Sequence, residues 1–188
     1  MKHLYIIFLI LPLIGFGQIK NYSSEDFSFS YPNSYITKKL NLSHDEPTVK
    51  LISKTESHLE VVIIKKLPQS IPNNTTSSFI QELNNMSLQQ EILMFNQYMD
   101  LSDSESFGSF FSTDKKKIFN KDVFVSYGKH EVPNMNLINW KVTYLFNINN
   151  ESCTIQFSSE KIDGSGGDSF QTFKNKVKDL NIILETIR

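Results

Sequence analysis

Cysteine is nearly absent: Cys153 stands alone among 188 residues, so no internal disulfide can brace the fold and its stability has to come from packing. Long apolar runs are missing too. The most extended one, Leu4 to Ile14, is far below the roughly 20 residues that a membrane-crossing helix needs. Neither sign of charge prevails, with 19 basic against 20 acidic side chains, and this removes the broad electrostatic footprint that nucleic acid or anionic lipid selects. There is no internal repeat and no low-complexity tract.

What is present begins with an export pattern. Lys2 supplies a positive start, Leu4 to Ile14 an uncharged apolar run, and Gly15-Phe16-Gly17 the small residues that a signal peptidase reads. Cleavage is expected after Gly17, which assigns residues 1–17 to a signal peptide and 18–188 to a single domain. With Gly17 and Gln18 at the cleavage point and no cysteine there, a lipid anchor is not expected. The mature chain would carry 18 basic and 20 acidic residues, a formal net of -2. About 170 residues, 39% hydrophobic over the whole chain and rich in Phe, are enough for one sizeable core. Asn21-Tyr22-Ser23, Asn41-Leu42-Ser43 and Asn85-Met86-Ser87 fit the glycosylation sequon, which carries meaning only in a secretory pathway that uses it.

Periodicity then divides the chain. Phe27, Phe29 and Tyr31 alternate with serines up to Pro32 and predict a short opening strand. Val49 to Ser53 and Leu59 to Lys66 predict a hairpin across Lys54 to His58, its second strand carrying apolar residues on both faces, as a central strand does. Pro68 and Pro72 close it. A helical region follows, with Phe79, Leu83 and Met86 on one stripe, then Leu88, Ile92, Phe95 and Met99. The pattern fits one bent helix or two short ones, Ser78 and Gln81 are spaced as a capping box, and both stripes are expected to face the core.

From Phe107 the period returns to two. Phe107 to Ser112, Ile118 to Lys129, Leu137 to Asn147 and Ser152 to Ser159 predict an antiparallel meander with turns at Asp114 to Lys117, Pro133 to Asn136 and Asn147 to Glu151. Cys153 alternates with Ile155 and Phe157, the setting of a buried structural thiol. Phe170, Phe173, Val177, Leu180 and Ile183 form the stripe of a closing helix, capped by Asp168 or Ser169. Strands before and between helices, with a long antiparallel run, define an α+β class: an antiparallel sheet with helices packed on it.

Glu25-Asp26-Phe27-Ser28-Phe29-Ser30-Tyr31-Pro32 resembles the opening strand of the PsbP/Mog1-like domains, and the order of hairpin, helix, antiparallel strands and closing helix is similar over most of the mature chain. That resemblance implies an α/β/α sandwich. The family includes photosystem-associated and nuclear-transport accessory proteins and many exported bacterial members. None of their binding residues can be matched here, so the resemblance implies a fold and no partner.

Chemistry is weighed site by site. Asp163-Gly164-Ser165-Gly166-Gly167-Asp168 precedes a helix start, where amides can hold an anion. It lacks the Gly-Lys-Ser/Thr ending of a P-loop, and Asp163, Ser165 and Asp168 do not complete an EF-hand; a turn with a helix cap accounts for it. His44-Asp45-Glu46, His58 and His130-Glu131 have ligating atoms but no His-x-x-x-His or Cys-x-x-Cys spacing, and surface loops or strand ends are their expected places. A Gly-x-Ser-x-Gly elbow is missing. Lys115-Lys116-Lys117 is expected at a hairpin tip.

No catalytic, cofactor-binding or metal-binding residue is therefore expected. The reading that remains is an exported accessory or binding protein, periplasmic or secreted, whose partner is a protein or a small apolar ligand, with no nucleic acid and no membrane anchor after cleavage. An apolar-ligand binder is the first alternative. A hydrolase is the second, and it requires His130 or His44 to cluster with a serine and a carboxylate.

Overall fold

The alternating segments do pair as strands. In the computed structural model, which describes residues 18–26, 28–39, 48–67, 69–102, 105–162 and 165–188, β1 (Ile19–Ser23) and β2 (Ser28–Pro32) form a two-stranded ribbon. Seven further strands, β3 (Ile36–Lys39), β4 (Thr48–Lys54), β5 (His58–Leu67), β6 (Phe107–Ile118), β7 (Lys121–Val132), β8 (Leu137–Ile148) and β9 (Glu151–Lys161), make one antiparallel sheet in the order β3-β4-β5-β9-β8-β7-β6. The expected signal segment, Phe27, His44-Asp45-Glu46, Pro68, Asp163 and Gly164 lie outside the described residues.

Helices cover both faces. On one face, α2 (Phe170–Asp179) and α3 (Asn181–Thr186) bring Phe173, Val177, Ile183 and Leu184 against Val62, Ile64, Val142, Phe146, Cys153, Ile155 and Phe157. Phe29 and Tyr31 of β2 join the same cluster. Phe173 is fully buried and stacks on Phe157, the rings 5.4 Å apart and 6° from parallel. The chain end is tied down by paired backbone bonds between Ser28 and Arg188 (3.0 and 3.2 Å). On the other face, α1 (Ser77–Met99) lies over β6 and β7. The whole is an α/β/α sandwich of the α+β class.

Several expectations are corrected. The helical region is one helix of 23 residues, capped by Thr76, whose Oγ1 accepts from the Phe79 amide at 3.3 Å, and not by a Ser78–Gln81 box. Gln81 instead donates to the Phe110 carbonyl at 2.9 Å. The first turn of the meander falls at Phe119-Asn120, where both φ angles are positive (47° and 62°), as a two-residue primed hairpin turn requires; Asp114 to Lys117 stay within β6, and Lys115-Lys116-Lys117 therefore line a strand and not a tip. The closing helix breaks at Leu180, which ends α2 and starts α3, letting Ile183, Leu184 and Ile187 turn into the core. Of the two caps expected for α2, Asp168 or Ser169, it is Ser169 that serves, its Oγ accepting from the Thr172 amide at 3.1 Å. Finally, β1 precedes the opening strand and had no apolar alternation to mark it, being almost wholly exposed.

Cys153 is buried as expected, and burial pushes its thiol up to about 12 despite the nearby Lys66 and Lys121 charges, which keeps it protonated and unreactive at neutral pH. The native protein should resist a thiol-specific disulfide reagent and react with one equivalent only on unfolding. Replacing Phe173 by Ala should cost about 3–5 kcal/mol in urea unfolding, because no neighbour can refill the space of a stacked, fully buried ring.

Candidate functional site

As the last strand of the sheet, β6 has no further strand among the described residues to satisfy its outer backbone groups. α1 does this with side chains. The Asn85 Oδ1 accepts from the Phe110 amide at 2.6 Å, Gln81 donates to the Phe110 carbonyl at 2.9 Å and Gln89 to the Gly108 carbonyl at 3.0 Å. A bulge between Phe110 and Ser112 re-aims the strand there. Gly128 leaves the space that Phe110 needs: a Cβ at that position would meet its ring at 2.9 Å. The apolar part of this contact is small, a cluster of Leu88, Ile92 and Phe110 separate from the main core.

With so much of its inner face given to amides, α1 leaves apolar residues outside. The Phe79, Leu83 and Met86 stripe, expected to pack inward, is exposed, and the helix faces the sheet with Ile80, Leu88, Ile92 and Asn96 instead. Phe79, Ile80 and Leu83 form one wall of a groove of about 390 Å³ whose other walls are Leu67, Ile71, Pro72 and Leu145. Its size lies within the range of roughly 300–1,000 Å³ found for small-molecule sites. Ser70, Thr75, Gln69 and Ser152 are its polar lining.

Farther along α1 lies a polar cradle. Lys141, buried on β8, pairs with Glu91 of α1. Beside it, His130 of β7 stands directly across from Asn139 of β8, which in turn pairs with Glu160 of β9. Asn139 donates to Glu160 at 3.2 Å, yet burial raises the Glu160 carboxyl above its ordinary range against that bond and the Lys141 charge. The His130 ring meets Phe95 edge-on at 5.1 Å. Burial first, then the Lys141 ammonium, lower the His130 pKa, with Glu91 acting in the opposite sense. Its Nε2 and the Asn139 Oδ1 are buried without a hydrogen-bond partner among the described residues.

His130 is therefore not the surface residue expected, being only 7% exposed; α1 covers the strand end on which it sits. His58 also leaves the solvated loop expected for it. At the start of β5 its Nδ1 meets Ser57 Oγ at 2.8 Å and its Nε2 meets Asp168 at 3.2 Å, a Ser-His-Asp line in outline. Asp168 is equally engaged by Lys176 at 3.0 Å, and Lys176 reaches Glu60 at 3.2 Å, whose other oxygen accepts from the Tyr35 hydroxyl at 2.7 Å. That chain fastens α2 and the loop before it to β5. Burial opposes ionisation of Asp168, but hydrogen bonds from Lys176 and His58 together with their charges outweigh it and hold the carboxyl below its usual range. Asp168 thus acts as a fastener rather than a cap or a calcium ligand, and its backbone carbonyl accepts from the Trp140 indole at 2.7 Å. Among the described residues Lys141, Glu91, Asn139 and Phe95 lie around His130; the carboxylate there, Glu91, is engaged by Lys141, and no serine is bonded to the His130 Nε2, so the set that a His130-based hydrolase requires is incomplete.

Lys115 to Lys117 lie on the exposed outer half of β6. Lys116 pairs with Asp114 at 3.2 Å, and the Lys115 ammonium sits 5.4 Å from the centre of the Phe124 ring. The groove is the feature that reading the sequence missed. Its signal was present in Phe79, Leu83 and Met86, a stripe opposed to the one formed by Leu88, Ile92 and Phe95, so that only one of the two could face the sheet.

An antiparallel sheet covered on both faces, with a ribbon beside its closing helices, is a PsbP-like architecture. The solution structure of cyanobacterial PsbP (CyanoP) from Synechocystis sp. PCC 6803 superposes with a TM-score of 0.57 at 10% identity, over 93% of this chain and 94% of that one. At that identity the likeness is one of fold. The crystal structure of LpqN, involved in cell envelope biogenesis of Mycobacterium tuberculosis, aligns at 11% identity over 90% of this chain and 89% of its own, with a TM-score of 0.41. No family model matches the sequence, and no curated protein matches it.

His130 makes stability pH-dependent in a defined sense. Its folded pKa lies below the 6.5 of the free side chain, so on acidification the unfolded chain takes up the proton first and stability declines as the pH falls through about 6.5. One group contributes a slope of at most about 1.4 kcal/mol per pH unit. His130→Gln should remove that slope between pH 7 and 5 in urea titrations. Asp168, with its lowered pKa, contributes stability above 3.8 that is lost only at lower pH, so the two windows separate.

Proposed function

We propose that the chain is an exported, non-enzymatic accessory protein, periplasmic or secreted, that holds an apolar segment of a protein partner in the groove beside α1. The groove carries this reading: Phe79 and Leu83 stand exposed at its rim, with Ile71, Pro72 and Leu145 across from them, an arrangement that leaves apolar area in water until something covers it. Export rests on the pattern of Lys2, Leu4 to Ile14 and Gly15-Phe16-Gly17. Among the described residues no helix is long and apolar enough to cross a membrane. Neither of the two histidines placed in the structure stands in a site built for turnover: His58 fastens α2, and His130 is enclosed beneath α1.

A second reading, a small apolar ligand in the same groove, is favoured by its volume. One experiment separates them. A photo-crosslinking residue at Ile71, or at Lys174 on the opposite helix layer as control, is introduced into the protein in its native envelope. A protein partner captured in stoichiometric yield from Ile71 and not from Lys174, and lost when Leu145→Asp is added across the groove, supports the accessory reading; equal capture from both positions overturns the groove as the site. For the ligand reading, a saturated fatty acid of medium length at 100 times its Kd should stabilise the purified protein by about 2.7 kcal/mol, and Ile71→Asp should abolish that gain.

A further inference from the structure

α1 carries a second pattern beyond the groove. Phe79, Leu83, Met86, Gln90, Leu93 and Gln97 recur at alternating steps of four and three, which is the a/d seam of a coiled coil. Here the seam faces away from its own domain. Phe79 is 52% exposed, Leu83 45%, Met86 59% and Leu93 48%, whereas Gln81, Leu88 and Phe95, on the opposite side of the same heptads, face the sheet or are partly covered by it. Met94, 63% exposed, flanks the seam. Steps of four and three keep these residues on one stripe of the helix, the arrangement that a second helix can pack against.

We infer that α1 is a self-association helix that pairs in parallel with α1 of a second copy of this chain, the two-fold axis running along the seam. The polar layers choose both partner and direction. Parallel pairing of two copies sets Gln90 against Gln90 and Gln97 against Gln97, so amide meets amide, while Phe79, Leu83, Met86 and Leu93 each meet their own kind. An antiparallel pair would set Gln90 against Met86 and Phe79 against Gln97, burying amide beside apolar group. Charge agrees. The charged residues of α1 are Glu82 and Glu91 alone, and Glu91 is held by Lys141. In the parallel register Glu82 falls opposite Ser87 of the second copy and Gln89 opposite its Met94, so no like charges meet. With no lysine or arginine on α1, the helix has nothing with which to attract an anionic membrane.

Five half-exposed apolar side chains per copy, with the flanking stems, would bury on the order of 1,000–1,200 Å² in total, the low end for a specific interface. The dimer is therefore weak and concentration-dependent. This inference is independent of the groove reading, although Phe79 and Leu83 serve both, and its test uses positions outside the groove.

Sedimentation equilibrium of the mature chain from about 1 μM to 1 mM should show the mass rising toward twice the monomer value. Leu93→Glu should hold it monomeric with an unchanged far-ultraviolet circular dichroism spectrum. Gln90→Leu, which replaces the polar central layer by an apolar one, should tighten association about tenfold or more. Gln90→Cys should form an intermolecular disulfide under mild oxidation, since only the parallel register places position 90 opposite itself. A monomer at 1 mM, an unchanged mass profile for Gln90→Leu, or a Gln90→Cys variant that does not crosslink overturns the inference. Ile71→Asp, which alters the groove alone, should leave the dimer intact and so keeps the two readings distinguishable.

Discussion

The unsatisfied outer edge of β6 is the constraint from which the second half of the structure follows. A terminal strand of 12 residues offers a row of backbone donors and acceptors to any passing strand, and two devices close it. Over Gly108 to Phe110, amide side chains of α1 take the places of a neighbouring strand. Over Asp114 to Lys117, exposed charges and three consecutive lysines make the edge hostile to pairing. The lysine run is thereby accounted for without a ligand.

Closing an edge with asparagines and glutamines has a consequence for the helix that does it. Each amide turned toward β6 occupies a position that an apolar side chain would otherwise fill, and the apolar anchor of α1 shrinks to Leu88, Ile92 and Phe110. The Lys141–Glu91 pair adds an ionic tie and the His130–Phe95 contact an aromatic one. The helix is long, lightly anchored and apolar on its far side. The two α-layers differ in kind: α2 and α3 are part of one large core built on the Phe157–Phe173 stack, whereas α1 serves as an edge guard with a free face. That difference directs the functional reading to α1.

Much of the fold was legible along the chain because strands and helices write their buried faces at different periods. The β4–β5 hairpin, the four long strands, the placement of Cys153 on the core side of β9 and the PsbP-like order of elements all follow from alternation. Turns that depend on left-handed backbone were harder. Asn149-Asn150, both at positive φ, lie inside the expected Asn147 to Glu151 turn, because asparagine tolerates that region; Phe119-Asn120 was missed, because a phenylalanine there breaks the usual turn composition. The break at Leu180 left no glycine or proline to announce it.

The candidate site was legible only as an ambiguity. Two stripes on one helix compete for one sheet, and amphipathicity alone cannot rank Phe79, Leu83 and Met86 against Leu88, Ile92 and Phe95. The His58–Asp168 pairing joins residues 110 positions apart, and no local pattern encodes such a meeting. By itself the sequence determined the class of the fold, the burial of the lone thiol and the want of any familiar catalytic or metal-binding spacing, since each of these rests on side-chain type and local period. Only the tertiary structure decided which face of α1 the sheet would take, because that choice depends on hydrogen bonds to the backbone of a strand that is distant along the chain, and with it decided which apolar side chains of α1 stay exposed.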